Sequence, residues 1–60
     1  MNGPQIVREV ERRAAEAYRK PEGPDYEAIA RAVAEEAGRP YEDVRRILTD
    51  AWAVGLLGSG

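Results

Sequence analysis

The side chains that carry out covalent or metal chemistry are almost missing from this chain. It has no histidine and no cysteine, and its one serine, Ser59, sits in a Gly-Ser-Gly ending. Nucleophilic catalysis needs an activated nucleophile beside a base, and a structural zinc needs Cys or His. Neither set is present. The acidic residues do not follow calcium-loop spacing, and a carboxylate among solvated charges has no cause to titrate near neutral pH. Three short helices also enclose too little space for a substrate. The expectation is therefore no enzyme, no metal, no cofactor and no small-molecule substrate. What remains is recognition chemistry. It is concentrated in residues 33–48, Val-Ala-Glu-Glu-Ala-Gly-Arg-Pro-Tyr-Glu-Asp-Val-Arg-Arg-Ile-Leu.

This segment reads as two short helices meeting through a tight turn. Ala34 is small where the second helix must cross close by, and Gly38 permits a turn that a side chain would hinder. Val44 and Ile47 plug the crossing from the far side. The segment resembles the helix-turn-helix of the lac repressor family, in which a Val-Ala-x-x-Ala-Gly turn precedes a Val-x-Arg helix. Val33, Ala34, Ala37, Gly38, Val44 and Arg46 stand at those places, and the match covers about a third of the chain. The resemblance implies that the second helix lies in the major groove of double-stranded DNA and reads bases with its amino-terminal half. Tyr41 and Glu42 would then enter first, with Arg45, Arg46 and Thr49 following on the outward face and Arg39 meeting a phosphate. Arginine binds guanine through two hydrogen bonds, and glutamate accepts from the cytosine amino group. The chain departs from the family in three ways. Two carboxylates, Glu42 and Asp43, open the recognition helix, a long helix precedes the motif, and no hinge or ligand-binding domain is present.

The same residues also have plainer roles. Glu42 and Asp43 suit the first turn of a helix, where an anion is favoured. Glu42 and Arg46 are spaced to pair along one helix face, and Arg45 with Arg46 reads equally as solvated surface. Tyr41 can staple the helix start to the core. Trp52 reads as packing at a helix edge. The cluster Arg8, Arg12, Arg13, Arg19 and Lys20 reads as a solvated face mixed with glutamate rather than a grip on phosphate.

The elements that must position these residues follow from periodicity. Pro4 suits a helix start, and Ile6, Val10, Ala14 and Ala17, with Val7 and Tyr18 beside them, make one stripe over about residues 4–20. Pro21, Gly23 and Pro24 break the chain. Asp25 is placed to cap a second helix, carrying Tyr26, Ile29, Ala30, Val33, Ala34 and Ala37 to a stop at Gly38. Pro40 opens a third helix with Val44, Ile47, Leu48, Ala51 and Val54 on its apolar face. Gly55 is placed to end it, with Leu56 or Leu57 folding back. No segment alternates with period two, so no strand is expected. The predicted fold is all-α, a three-helix orthogonal bundle with helices 2 and 3 as the helix-turn-helix, over residues 4–57. Residues 58–60 read as an added linker, and Met1-Asn2-Gly3 as a vector-derived start.

Sixty residues allow one domain with a small core, and no disulfide supports it. No run approaches a membrane span and no targeting signal opens the chain, so a soluble, cytoplasmic protein is expected. The net charge is −2, which argues against strong nonspecific attraction to nucleic acid. Residues 4–20 are net basic, 21–38 net acidic, and 39–57 balanced. Helix formers fill the helices, and every break has its proline or glycine, a consistency typical of designed sequences. A natural protein from a GC-rich genome would share the richness in Ala, Arg, Glu and Gly. The sequence thus supports two readings: a small designed domain binding double-stranded DNA, or a designed mini-protein that binds a protein partner or forms a homo-oligomer through its apolar C-terminal helix.

Overall fold

The computed structural model describes residues 1–59, with side chains as far as Val54. It is an all-α bundle of three helices, α1 (Gly3–Ala17), α2 (Tyr26–Ala37) and α3 (Tyr41–Ser59), each packed on both others. Among the described residues, no helix is long and apolar enough to cross a membrane.

Each helix begins where a side chain or carbonyl can satisfy its first amides. Asn2 caps α1 reciprocally: its Oδ1 accepts from the Gln5 amide at 2.9 Å, and the Gln5 Oε1 accepts from the Asn2 amide at 2.9 Å. This capping box makes Asn2 the start of α1, a cap that the sequence reading did not assign. Pro4 lies in the first turn, where its missing donor costs nothing. Asp25 caps α2 as expected, accepting from the Ala28 amide at 3.2 Å. The Pro40 carbonyl accepts from Val44 at 3.4 Å and begins the α3 ladder.

The ends are less regular. α1 stops at Ala17, not near residue 20. The amides of Arg19 and Lys20 bond three residues back instead, to Glu16 at 3.2 Å and Ala17 at 3.0 Å. Pro21 is the physical reason. It has no amide to continue the ladder, and it pushes the residue before it out of the helical region. α2 ends as predicted, with Gly38 left-handed at φ 68°. The Arg39 amide reaches back to the Ala34 carbonyl at 3.0 Å, and the Gly38 amide to that of Glu35 at 3.2 Å. This paired closure satisfies carbonyls that the helix end would otherwise leave bare. α3 does not stop at Gly55 and continues to Ser59. A glycine inside a helix costs about 1 kcal/mol without forbidding it. The expected fold-back of Leu56 or Leu57 falls outside the described side chains.

The core joins Ile6 and Val10 of α1, Ala30, Val33 and Ala34 of α2, and Val44 and Leu48 of α3, with Val7, Ile29, Ala37, Tyr41 and Ile47 packed around it. These are the predicted apolar stripes. Three members stand apart, Tyr26 at the start of α2 among them. Tyr18 is 65% exposed because α1 has already ended, and Val54 is 68% exposed. At 19 residues, α3 outruns its neighbours of 15 and 12, so its later turns have less to pack against.

One ion network ties α1 to α2. The Arg13 guanidinium donates to Glu9 on its own helix at 2.9 Å and to Glu36 on α2 at 2.6 Å. Arg12 also pairs with Glu9, and with Glu16 at 3.7 Å. The Arg12 and Arg13 guanidinia together hold the Glu9 carboxyl at about 2, against an ordinary value of 4.5.

Two predictions follow from this architecture. A Cβ at Gly38 would meet nothing within 4 Å, so the cost of a side chain there is backbone strain alone. Gly38→Val should lose about 1 kcal/mol or more in a denaturant melt, and Gly38→Asn less, since asparagine tolerates the left-handed region. Equal losses for the two would contradict this. Glu9 has a lowered carboxyl in the folded state, so its stabilisation is present above the unfolded value and is lost as pH falls from about 4.5 toward about 2. Across that window wild type should lose more stability than Glu9→Gln, measured by chemical denaturation. Parallel pH profiles would remove Glu9 from the account.

Candidate nucleic-acid interface

The residues singled out by sequence lie on the turn Gly38–Pro40 and the first half of α3. Three residues connect the two helices, with the left-handed glycine leading. That reversal puts Val44 of α3 and Ala34 of α2 in the same buried cluster. It also turns the remaining positions of α3 outward. Glu42, Arg45, Arg46 and Thr49 are exposed, and with Asp50 they line one shallow depression. Their spacing of three, four and seven residues from Glu42 is that of a single helical face.

Tyr41 is placed differently. Its ring is half-buried against the core. The Arg31 guanidinium lies 4.3 Å from the ring centroid, a cation–π contact, and also donates to Glu27 at 3.0 Å. Core and guanidinium together hold the ring, so its surroundings are those of the staple rather than of a free probe. Arg39 is exposed, and its Nη2 donates to the Met1 carbonyl at 3.3 Å. The turn is thereby tied to the chain's beginning.

The cations of the molecule fall into two groups. Arg12, Arg13 and Arg31 are each paired with glutamates. Among the described residues, Arg8, Arg19, Lys20, Arg39, Arg45 and Arg46 make no ion pair, and the Glu42–Arg46 pair expected from spacing does not form. The formal charge of the depression is nonetheless balanced, with Arg45 and Arg46 facing Glu42 and Asp50. Among the described residues, no cluster of acidic side chains is placed to hold a metal ion.

A second depression shares Arg45 and Thr49 with the first and extends to Tyr26, Glu27, Tyr41 and Trp52. Tyr26 and Trp52 meet edge to face, with ring centroids 5.4 Å apart. The Tyr26 hydroxyl also lies 3.1 Å from that of Tyr18, and this bond raises the Tyr26 phenol above its ordinary value. Sequence reasoning missed this aromatic flank. Tyr26 and Trp52 belong to different helices, and only the packing of α2 on α3 brings them together.

The chain matches no protein-family model, no curated protein and no solved structure.

The two kinds of position should separate by stability. Tyr41→Ala removes a ring packed on the core and should cost about 2 kcal/mol. Arg46→Ala removes an unpaired exposed side chain and should change stability by no more than about 0.5 kcal/mol. Thermal melts of the two variants check this, and equal shifts would mean that one of the placements is wrong.

Proposed function

We propose that this chain is a small designed helix-turn-helix domain that binds double-stranded DNA, with α3 laid in the major groove. The observation that carries this reading is the division of the cations. Arg12, Arg13 and Arg31 are committed to glutamates; of the six cations without a carboxylate partner among the described residues, Arg8, Arg19 and Lys20 belong to α1 and the segment after it, and Arg39, Arg45 and Arg46 share the turn and the outward face of α3. Exposed guanidinium forks on one helix face suit the paired acceptors of guanine. The three-residue turn and its left-handed glycine support the resemblance to the lac repressor motif. The design reading rests on the agreement of caps, breaks and apolar stripes.

In this reading Arg45 and Arg46 take guanine edges, Glu42 accepts from a cytosine amino group, Thr49 contacts the far end of the site, and Arg39 meets a phosphate. Tyr41 fixes the entry of α3 against the core. Arg12 and Arg13 are engaged with Glu9, Glu16 and Glu36, which leaves them poorly placed as a phosphate grip. With few phosphate contacts and a net charge of −2, nonspecific binding should be weak and the dependence on salt shallow. Base contacts must then supply most of the affinity.

The experiment is selection from a randomised duplex pool at two salt concentrations, followed by titration of the enriched duplex. Arg46→Ala should lose about 1–3 kcal/mol of binding and relax preference at one base pair. If no duplex is enriched even at low salt, the DNA reading is wrong and the fold is a helix-turn-helix in shape only.

A further inference from the structure

Asp50 is exposed and makes no ion pair among the described residues. The DNA contacts proposed above leave it without a part. It lines the same depression as Glu42, Arg45, Arg46 and Thr49. At about 3.6 residues per turn, however, it lies roughly a quarter-turn from the middle of that face. It also borders an open groove between α1 and α3, lined by Val7, Ile47 and Val54. Asp50 therefore stands on one flank of the face. Arg45 stands toward the other, in the depression that holds Tyr26 and Trp52. One flank of α3 carries an unpaired anion and the other an unpaired cation.

We propose that Asp50 is a specificity-determining residue of this face, whose carboxylate disfavours every placement of α3 against the phosphate backbone and spares the placement that reads bases. The inference rests on the DNA reading and adds to it a residue that acts by repulsion. A helix in the major groove turns its middle to the base edges and its flanks to the phosphate walls. Phosphate attracts Arg45 and Arg46 wherever it lies, so the two arginines alone would let α3 settle anywhere along a duplex. Asp50 follows Arg46 by one turn of the helix. When α3 rolls from the groove floor onto a backbone strand, the motion that brings Arg46 to a phosphate brings Asp50 beside it. When base edges hold both guanidinia in the groove, the carboxylate stays clear of the strand. Unfavourable contacts with wrong sites discriminate as well as good contacts with the right one. Glu42 differs, because it opens α3 in the half of the helix that reads bases.

Fluorescence-anisotropy titration at low salt tests the proposal, with two targets: the duplex enriched by selection and the unselected duplex pool. The proteins are wild type, Asp50→Asn and Glu22→Gln. Both variants remove one negative charge, but Glu22 is an exposed residue of the loop between α1 and α2 and lines neither the groove nor the depressions. Asp50→Asn should tighten pool binding about threefold, the size of one exposed charge contact, and leave the enriched duplex unchanged, so that the preference between them falls by the same factor. Glu22→Gln should move neither. Circular dichroism of both variants should match wild type, since both positions are exposed. Equal gains for the two targets, or equal effects of the two variants, overturn the inference and leave the DNA reading standing. So does weaker binding of Asp50→Asn to the enriched duplex, which makes Asp50 a base contact. If neither wild type nor Asp50→Asn binds any duplex, the DNA reading and the inference fall together.

Discussion

The reversal at Gly38 is the constraint on which the rest of this small molecule depends. Nothing covalent holds the chain, and its largest fully buried side chains are Ile6, Val10, Val33 and Val44. A core of aliphatic and alanine residues works only if the helices approach closely, because small side chains leave gaps at longer range. The left-handed glycine enforces that approach between α2 and α3. Ala34 benefits twice: its side chain lies in the buried core, and its carbonyl accepts the amide of Arg39. The same three residues decide which positions of α3 face inward. Core and the outward face of α3 are therefore set by one turn.

Charge adds a second level of organisation. Arg13 reaches from α1 to Glu36 on α2 while also meeting Glu9, so the acidity of the middle segment is partly spent on holding the basic first helix. Such surface pairs are individually modest. Their larger effect is to sort the cations, since a guanidinium engaged by its own chain is less available to a partner. The arginines of the turn and of α3 escape that sorting, as do Arg8, Arg19 and Lys20. A chain with a net negative charge thus still presents unshared positive groups in particular places.

Much of this was legible in the sequence. Proline and glycine act within a residue or two, so the caps at Asp25 and Gly38 and the start at Pro40 fell where local chemistry puts them. The apolar stripes were equally readable, because helical period fixes which side chains share a face. The misreadings have physical causes. Asn2 was not assigned as a cap although Asn-x-x-Gln is a reciprocal one, because Pro4 was taken as the helix start. Val54 fitted the stripe, but a stripe says nothing about whether a neighbouring helix extends far enough to cover it. Glu42 and Arg46 had the right spacing for a pair that does not form, since exposed side chains gain little by being fixed together. Arg31 over Tyr41, and Tyr26 against Trp52, join different helices and leave no trace in a local pattern.

The contact between Tyr26 and Trp52 gives the molecule a built-in optical probe. Trp52 is the only tryptophan in the chain, and its ring meets a tyrosine on α2 edge to face. Its emission therefore responds directly to the seating of α2 on α3, and separation of those helices exposes the indole to water. Arg45 and Thr49 border the same depression, so a molecule settling on that face of α3 also changes the environment of the indole. The groove between α1 and α3 does not include Trp52. Intrinsic fluorescence, without any added label, distinguishes events on one side of α3 from events on the other.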